Sequence, residues 1–197
     1  MLQVRDDDAC AFEELVERYQ QRIVSLMTHL VGRRDMAEDL AQDVFLRIYR
    51  ARKRYVPGSK FSTWMFTIAH NVALNALRGL SRRREVNLVG SESGELGGNP
   101  LDAKALAASG LMPTRQLEKA ELSEVVNMAV ADLNERQRMA VLLNKFEHMS
   151  YEEIAEVMEL SPAAIKSLLS RARANLREVL TPYLQQGTQV VGDKDPA

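Results

Sequence analysis

The chain is 197 residues long, 46% hydrophobic, 27% charged and only 6% aromatic, with a formal net charge of −1. That length and apolar content support a real core in one large or two small domains, and six prolines and ten glycines are too few for a disordered or fibrous chain. A single cysteine, Cys10, excludes an internal disulfide framework and a cysteine-rich zinc site. No apolar run approaches the roughly 20 residues that span a bilayer, and MLQVRDDDACAFEEL lacks a basic-then-apolar signal pattern. The expectation is a soluble cytoplasmic protein.

Periodicity is helical nearly throughout. Phe12, Leu15, Val16, Tyr19, Ile23 and Leu26 follow the three-and-four spacing of a helix buried on one side. Asp35, with Glu38 three residues later, predicts a capped second helix whose apolar stripe is Ala37, Leu40, Ala41, Val44 and Ile48. Pro57-Gly58-Ser59 breaks the pattern, and a third helix is expected from about Ser62 to Leu80. No segment alternates in the manner of a strand. The predicted fold class is all-α.

Charge along the chain is segregated. Arg47 to Arg84 holds ten Lys or Arg and no Asp or Glu, against 16 basic and 27 acidic residues elsewhere. The same segment holds Tyr49, Tyr55, Phe61, Phe66 and the chain's one tryptophan, Trp64. Cations hold phosphates, and exposed aromatic rings let unstacked bases stack on them. A solvated basic face is the plainer reading; the interleaved aromatics favour nucleic acid.

Residues 85–116, rich in Gly and Ser with two prolines, read as a flexible linker with transient helix near Asp102–Ala108. Periodicity resumes with Leu117, Leu122, Val125, Val126, Ala129 and Leu133, and the chain from Gly187 reads as a frayed tail. The expected organisation is a first domain over 8–84, the linker over 85–116, a second domain over 117–186 and a tail over 187–197.

Within the second domain, Ser150-Tyr151-Glu152-Glu153 is a capping box opening a short helix. After the turn Glu159-Leu160, Ser161-Pro162 supplies an N-cap and a proline at the first helical position. Ile165, Leu168, Leu169, Ala172 and Leu176 form the buried stripe, and no acid lies between Leu160 and Arg177. Two helices on a tight turn, the second basic outside, make a helix-turn-helix suited to a major groove. An ordinary hairpin with a cationic surface is the alternative; two successive capped starts and the acid-free helix favour DNA.

Taken together, AFEELVERY at 11–19, AEDLAQDVFLRIYRA at 37–51, FSTWMFTIAHNVALNALR at 61–78 and the stretch from Leu133 to Leu176 resemble an RNA polymerase sigma factor of the sigma-70 family, extracytoplasmic-function (ECF) type. The resemblance implies two helical domains, sigma region 2 and sigma region 4. It implies that Asp39, Gln42 and Asp43 meet the beta-prime coiled coil of core RNA polymerase, with the beta flap a second polymerase contact. The loop RYVPGSKF and the next helix would open the minus-ten element and hold a flipped base, through Tyr55, Lys60, Phe61, Asn71 and Arg78. Lys166, Ser167, Ser170, Arg171 and Arg173 would read the minus-thirty-five element. The sequence departs from many relatives at Leu168, where they carry arginine, and at Ser170, where they carry an aromatic or histidine.

Trp64, on the side of Ile68 and Val72, is expected in the core rather than as a base platform, and His70 on a helix surface, with a contact to DNA beside Asn71 as the alternative. Scattered histidines, with no nucleophile or phosphate loop, predict a non-enzyme without cofactor or metal. The competing class is a stand-alone helix-turn-helix regulator of duplex DNA, and an anti-sigma protein is a possible partner of the favoured class.

Overall fold

The computed structural model describes residues 1–58, 60–90 and 114–189, and every regular element in it is helical. A short α1 (Leu2–Arg5) leads into α2 (Ala9–Val31) and α3 (Arg34–Ala51), followed by a 3-10 turn at Arg52–Arg54 and the long α4 (Phe61–Gly90). The second unit comprises α5 (Thr114–Ala131), α6 (Glu135–Lys145), α7 (Tyr151–Met158) and α8 (Pro162–Gln189).

Local chemistry sets most of these boundaries. Asp8 caps α2 by accepting from Ala11 N at 3.0 Å, and Asn134 caps α6 through Gln137 N at 2.9 Å. Helix α2 ends at Gly32, whose φ of 75° suits the left-handed C-cap and would strain a residue with a Cβ. The capping box at Ser150 is complete: Glu153 N donates to Ser150 Oγ, and Ser150 N donates to Glu153 Oε2. Ser161 Oγ accepts from Ala164 N at 3.2 Å, with Pro162 at the first position of α8.

One expected cap is absent. Helix α3 begins at Arg34 behind an Arg33 that makes no side-chain cap. Asp35 instead pairs with Arg33, and Glu38 with Arg34; each carboxylate finds a guanidinium before it finds an orphan N–H. The linker boundaries also shift. Helix α4 runs ten residues past Leu80 to Gly90, so residues 85–90 are helical, as are 114–116 at the start of α5. The expected helix at Asp102–Ala108 lies outside the described residues, and the tail loses 187–189 to α8.

Each unit buries a core: the predicted stripes of α2, α3 and α8 face it, whereas Leu122 of the predicted α5 stripe is 45% exposed. Ile23, Met27, Val44, Ile48, Met65 and Phe66 are essentially inaccessible in the first, and Leu142, Leu143, Ile154, Ile165 and Leu169 in the second. These residues belong to one continuous apolar cluster, because the two units are docked. Helix α7 lies against α4, and α2 touches α5 and α6. The sequence predicts two modules on a flexible tether and leaves their relative placement open; the structure packs them together.

Polar groups fasten this contact. Arg22 Nε donates to Glu147 Oε2 at 2.8 Å, and the guanidinium also binds the same oxygen through Nη2. Lys60 Nζ pairs with Glu153 Oε1 at 2.8 Å. Arg138 donates to the carbonyls of Val130, Ala131 and Leu133 at the end of α5, and to Leu30 O at the end of α2. A guanidinium there suits both helix C-termini, where orphan carbonyls concentrate negative charge.

Candidate nucleic-acid interface

Three surfaces carry the residues singled out from the sequence. The first is the outer face of α3. Asp39 and Gln42 are exposed, and Asp43 is partly so, accepting from Arg47 Nε at 3.0 Å one turn on. Beside Gln42 a groove of about 470 Å³ opens between α2 and α3, with Phe12, Val16, Val24, Phe45 and Leu46 on its walls. Leu46 is 53% exposed. Arg34, Glu38 and the amides of Gln20, Gln21 and Gln42 complete the lining, so the groove can receive a helix that offers both apolar and polar side chains.

The second surface follows the basic segment. Arg52 stacks on the Tyr49 ring at 3.9 Å and donates to Tyr49 O and to Asp7 Oδ1. Lys53 also pairs with Asp7. Hydrogen bonds from Lys53 and then Arg52 hold the Asp7 carboxyl below its usual range. Two of the cations are thus occupied internally. Arg50, Arg54, Arg78, Arg82 and Arg83 are exposed and have no protein partner among the described residues.

The loop ahead of α4 differs from expectation at one residue. Tyr55 was expected to face an opened strand, yet only 7% of its surface is accessible. Its ring packs edge-on against Trp64 at 5.2 Å and Phe61 at 6.1 Å, while Phe61 meets Tyr19 at 5.5 Å. Edge-on packing against these two rings keeps the Tyr55 ring inside, so in this structure Tyr55 pins the loop to α4. Phe61 and Trp64 are half-buried in the same cluster. Asn71 and Arg78 are exposed seven residues apart on one face of α4. Lys60 is exposed at the near end of that face and paired with Glu153.

His70 is the second correction. Its expected place is the helix surface; it is 7% exposed, on a helix against which α7 packs. Burial pushes its pKa below the ordinary value, with Arg136 and Arg78 adding to the effect and Glu159 opposing it.

The third surface is the helix-turn-helix. Ile165, Leu169 and Ala172 anchor α8 inward, and Leu168 is partly buried against the same core. Lys166, Ser170 and Arg171 face outward, with Arg171 Nη2 donating to the half-buried Ser167 Oγ at 3.0 Å. These four side chains form one continuous polar patch. Arg173 stands at its edge and donates to Tyr151 Oη at 2.8 Å, which ties α8 to α7. Long donors in this patch can reach guanine edges, and hydroxyls can contact bases or phosphates.

Sequence reasoning missed Glu147, Glu153 and Arg138 as fasteners of the two units. Among these, only the capping-box position of Glu153 was visible in the sequence. Among the described residues no helix is long and apolar enough to cross a membrane, and no cluster of His, Cys, Asp and Glu could hold a metal ion.

Comparison with known proteins places this architecture. The family model for sigma-70 region 2 matches residues 15–83, and that for sigma-70 region 4 matches residues 123–176. The RNA polymerase sigma-H factor of Pseudomonas aeruginosa is 33% identical over 183 residues, 93% of each chain. The ECF RNA polymerase sigma-E factor of Escherichia coli K12 is 31% identical over 186 residues, again 93% of each. Among solved structures, the sigma factor RpoE of Bartonella quintana, determined with the anti-sigma factor NepR, superposes with a TM-score of 0.63 at 26% identity, covering 87% of this chain and 97% of that one. With both regions matched in order, and relatives of this identity aligned along nearly their whole length, the chain belongs to the sigma-70 family and, within it, to the ECF group.

Proposed function

We propose that this protein is a promoter-specificity subunit: it binds core RNA polymerase and directs it to start transcription at selected promoters, in a stress or envelope response. The observation that carries the reading is the presence, in one chain, of a cationic α4 face and a basic helix-turn-helix, both matched to promoter-reading regions of the family. A stand-alone duplex regulator needs only the second. The chemistry of RNA synthesis belongs to polymerase, so the protein acts as a non-enzyme in the cytoplasm, where polymerase works.

In this reading Asp39, Gln42 and Asp43, with the neighbouring groove, meet the beta-prime coiled coil, and the second unit meets the beta flap. Lys60, Phe61, Asn71 and Arg78 serve the minus-ten element. The exposed amide of Asn71 can both donate to and accept from a flipped base. Lys166, Ser167, Ser170 and Arg171 read the minus-thirty-five element while Arg173 orients α8. The working units are the domains 8–84 and 117–186, with α4, α5 and α8 continuing a few residues beyond these limits. An anti-sigma protein is the proposed inhibitor, since the Bartonella relative was solved with one.

Transcription in vitro with core polymerase and a fragmented genomic library tests the reading. Discrete start sites that appear only with the protein are expected. Tight, specific binding to duplex promoters by the free chain, with no affinity for core polymerase, would overturn it in favour of the stand-alone regulator.

A further inference from the structure

Two buried side-chain polar atoms have no hydrogen-bond partner among the described residues, Thr63 Oγ1 and His70 Nδ1. Native proteins leave few such atoms, and each calls for an explanation. Thr63 is 1% exposed and His70 7%, and both lie on α4, seven residues apart and so on one face. Helix α7, which buries Ile154, Ala155, Val157 and Met158, packs against α4, and the charges of Glu159 and Arg136 in the second unit act on His70. The residues that α7 buries are apolar, and its glutamates leave both atoms without a hydrogen-bond partner.

A contact evolved only to be permanent would carry apolar residues at 63 and 70. Their unused capacity suits a different, polar occupant. Helical geometry says where that occupant lies. On a helical wheel the Thr63–His70 stripe stands roughly 90° from the stripe of Asn71 and Arg78, with the partly buried Thr67 between them. The border toward solvent is cationic, with Lys60 at one end and Arg78 at the other. Lys60 is held on the covering unit by Glu153, so the second unit occupies the ground next to the cations as well.

We propose that α7 plugs a DNA-contacting stripe of α4, and that Thr63 and His70 become further contacts to a single DNA strand once the two units separate. A threonine hydroxyl and a neutral imidazole each donate and accept, which matches base edges and phosphate oxygens. The docked chain is then a self-masked form. Its opening frees Lys60, Thr63 and His70 together, and polymerase, by spacing the two units, favours the open form. This inference rests on the nucleic-acid reading of α4 given above.

The test uses the full chain, with fluorescence anisotropy of a labelled 12-nucleotide single-stranded DNA of mixed sequence. Glu147→Gln with Glu153→Gln removes both interunit ion pairs while glutamine keeps the cap at Ser150. Glu152→Gln with Glu156→Gln is the charge-matched control, because both residues are exposed on α7 and pair with nothing among the described residues. The unlatched variant is expected to bind the strand about tenfold more tightly than the control variant. Adding Thr63→Val or His70→Gln to the unlatched variant is expected to remove about fivefold of that affinity. Thr63→Val is nearly isosteric, and circular dichroism of each variant reports its folding.

Equal strand affinity of the unlatched and control variants, with hydrogen exchange of α4 amides faster in the former, would overturn the plug. Unchanged affinity on adding both Thr63→Val and His70→Gln would overturn the contacts. Binding of the wild-type chain to core polymerase is measured alongside: its loss would count against the proposed function, and its retention with either negative result would sink this inference alone.

Discussion

The Arg22–Glu147 pair is one of the contacts that set how strongly the two units hold each other. The Glu147 side chain is 6% exposed and that of Arg22 41%, and two guanidinium nitrogens converge on one carboxylate oxygen. Unit charges about 4 Å apart interact by roughly 4 kcal/mol at an effective dielectric of 20. Desolvating Glu147 and solvent screening of the partly exposed arginine reduce this to a net coupling of about 1.5 kcal/mol. That is about tenfold in the ratio of docked to separated forms. Arg22 also lies over the Phe66 and Tyr19 rings, at 5.8 and 5.2 Å, so Arg22→Ala loses stacking that Glu147→Gln retains. A double-mutant cycle separates the two contributions. Single-molecule energy transfer between the native, exposed Cys10 and a second dye at Arg177→Cys counts the two populations directly. Each single variant is expected to raise the separated population about tenfold, and the double variant little beyond Arg22→Ala. A coupling below about 0.3 kcal/mol would refute the reasoning, because independent sites add to within that margin.

Acid is expected to open the docked form through His70. Burial lowers its pKa below the ordinary 6.5, with Glu159, Arg136 and Arg78 the charged groups acting on it. Its contribution to docking is therefore complete above 6.5 and lost as pH falls below it, since separation lets the ring take a proton. Glu153, held below its ordinary 4.5 chiefly by the Lys60 hydrogen bond, keeps its contribution until more acidic pH. The same dye pair should report more separation at pH 5.5 than at 7.5, with His70→Gln flattening the profile. Ser150→Ala, which removes the cap on α7, should cost about 1 kcal/mol in thermal unfolding of the second unit. Glu159→Gly should stabilise it by up to about 1 kcal/mol, because Glu159 holds a φ of 54° where glycine is unstrained. Alanine at Asp39, Gln42 and Asp43 together should weaken core-polymerase binding in a pull-down while leaving helicity intact, as exposed positions add little to the fold.

Local signals carried the sequence reading a long way. Ser150 with Glu153, and Ser161 with Pro162, each announce a helix start within four residues, and the structure places both starts there. The apolar stripe of α3 is legible because burial on one side leaves a period of 3.6. Less was visible where the deciding partner is distant. Arg22 and Glu147 lie 125 residues apart, and Arg138 reaches Leu30 across 108, separations that no periodicity encodes. His70 reads as a surface residue because α7, which packs against its helix, belongs to the other unit. Tyr55 misleads for a related reason: an aromatic in a basic loop suits a base platform, and only the arrival of Trp64 and Phe61 shows that the ring is spent on packing. Asp35 and Glu38 had the right spacing for a cap but the wrong neighbours, two arginines in immediate reach.

Glu153 divides its work between two oxygens. Oε2 accepts from Ser150 N and closes the cap on α7, while Oε1 meets Lys60 of the other unit. Losing the second contact leaves the first in place, so α7 does not fray when the units part. The proposed separation is therefore expected as a rigid-body event on the timescale of domain motion, microseconds to milliseconds, with no helix to rebuild before the second unit engages DNA.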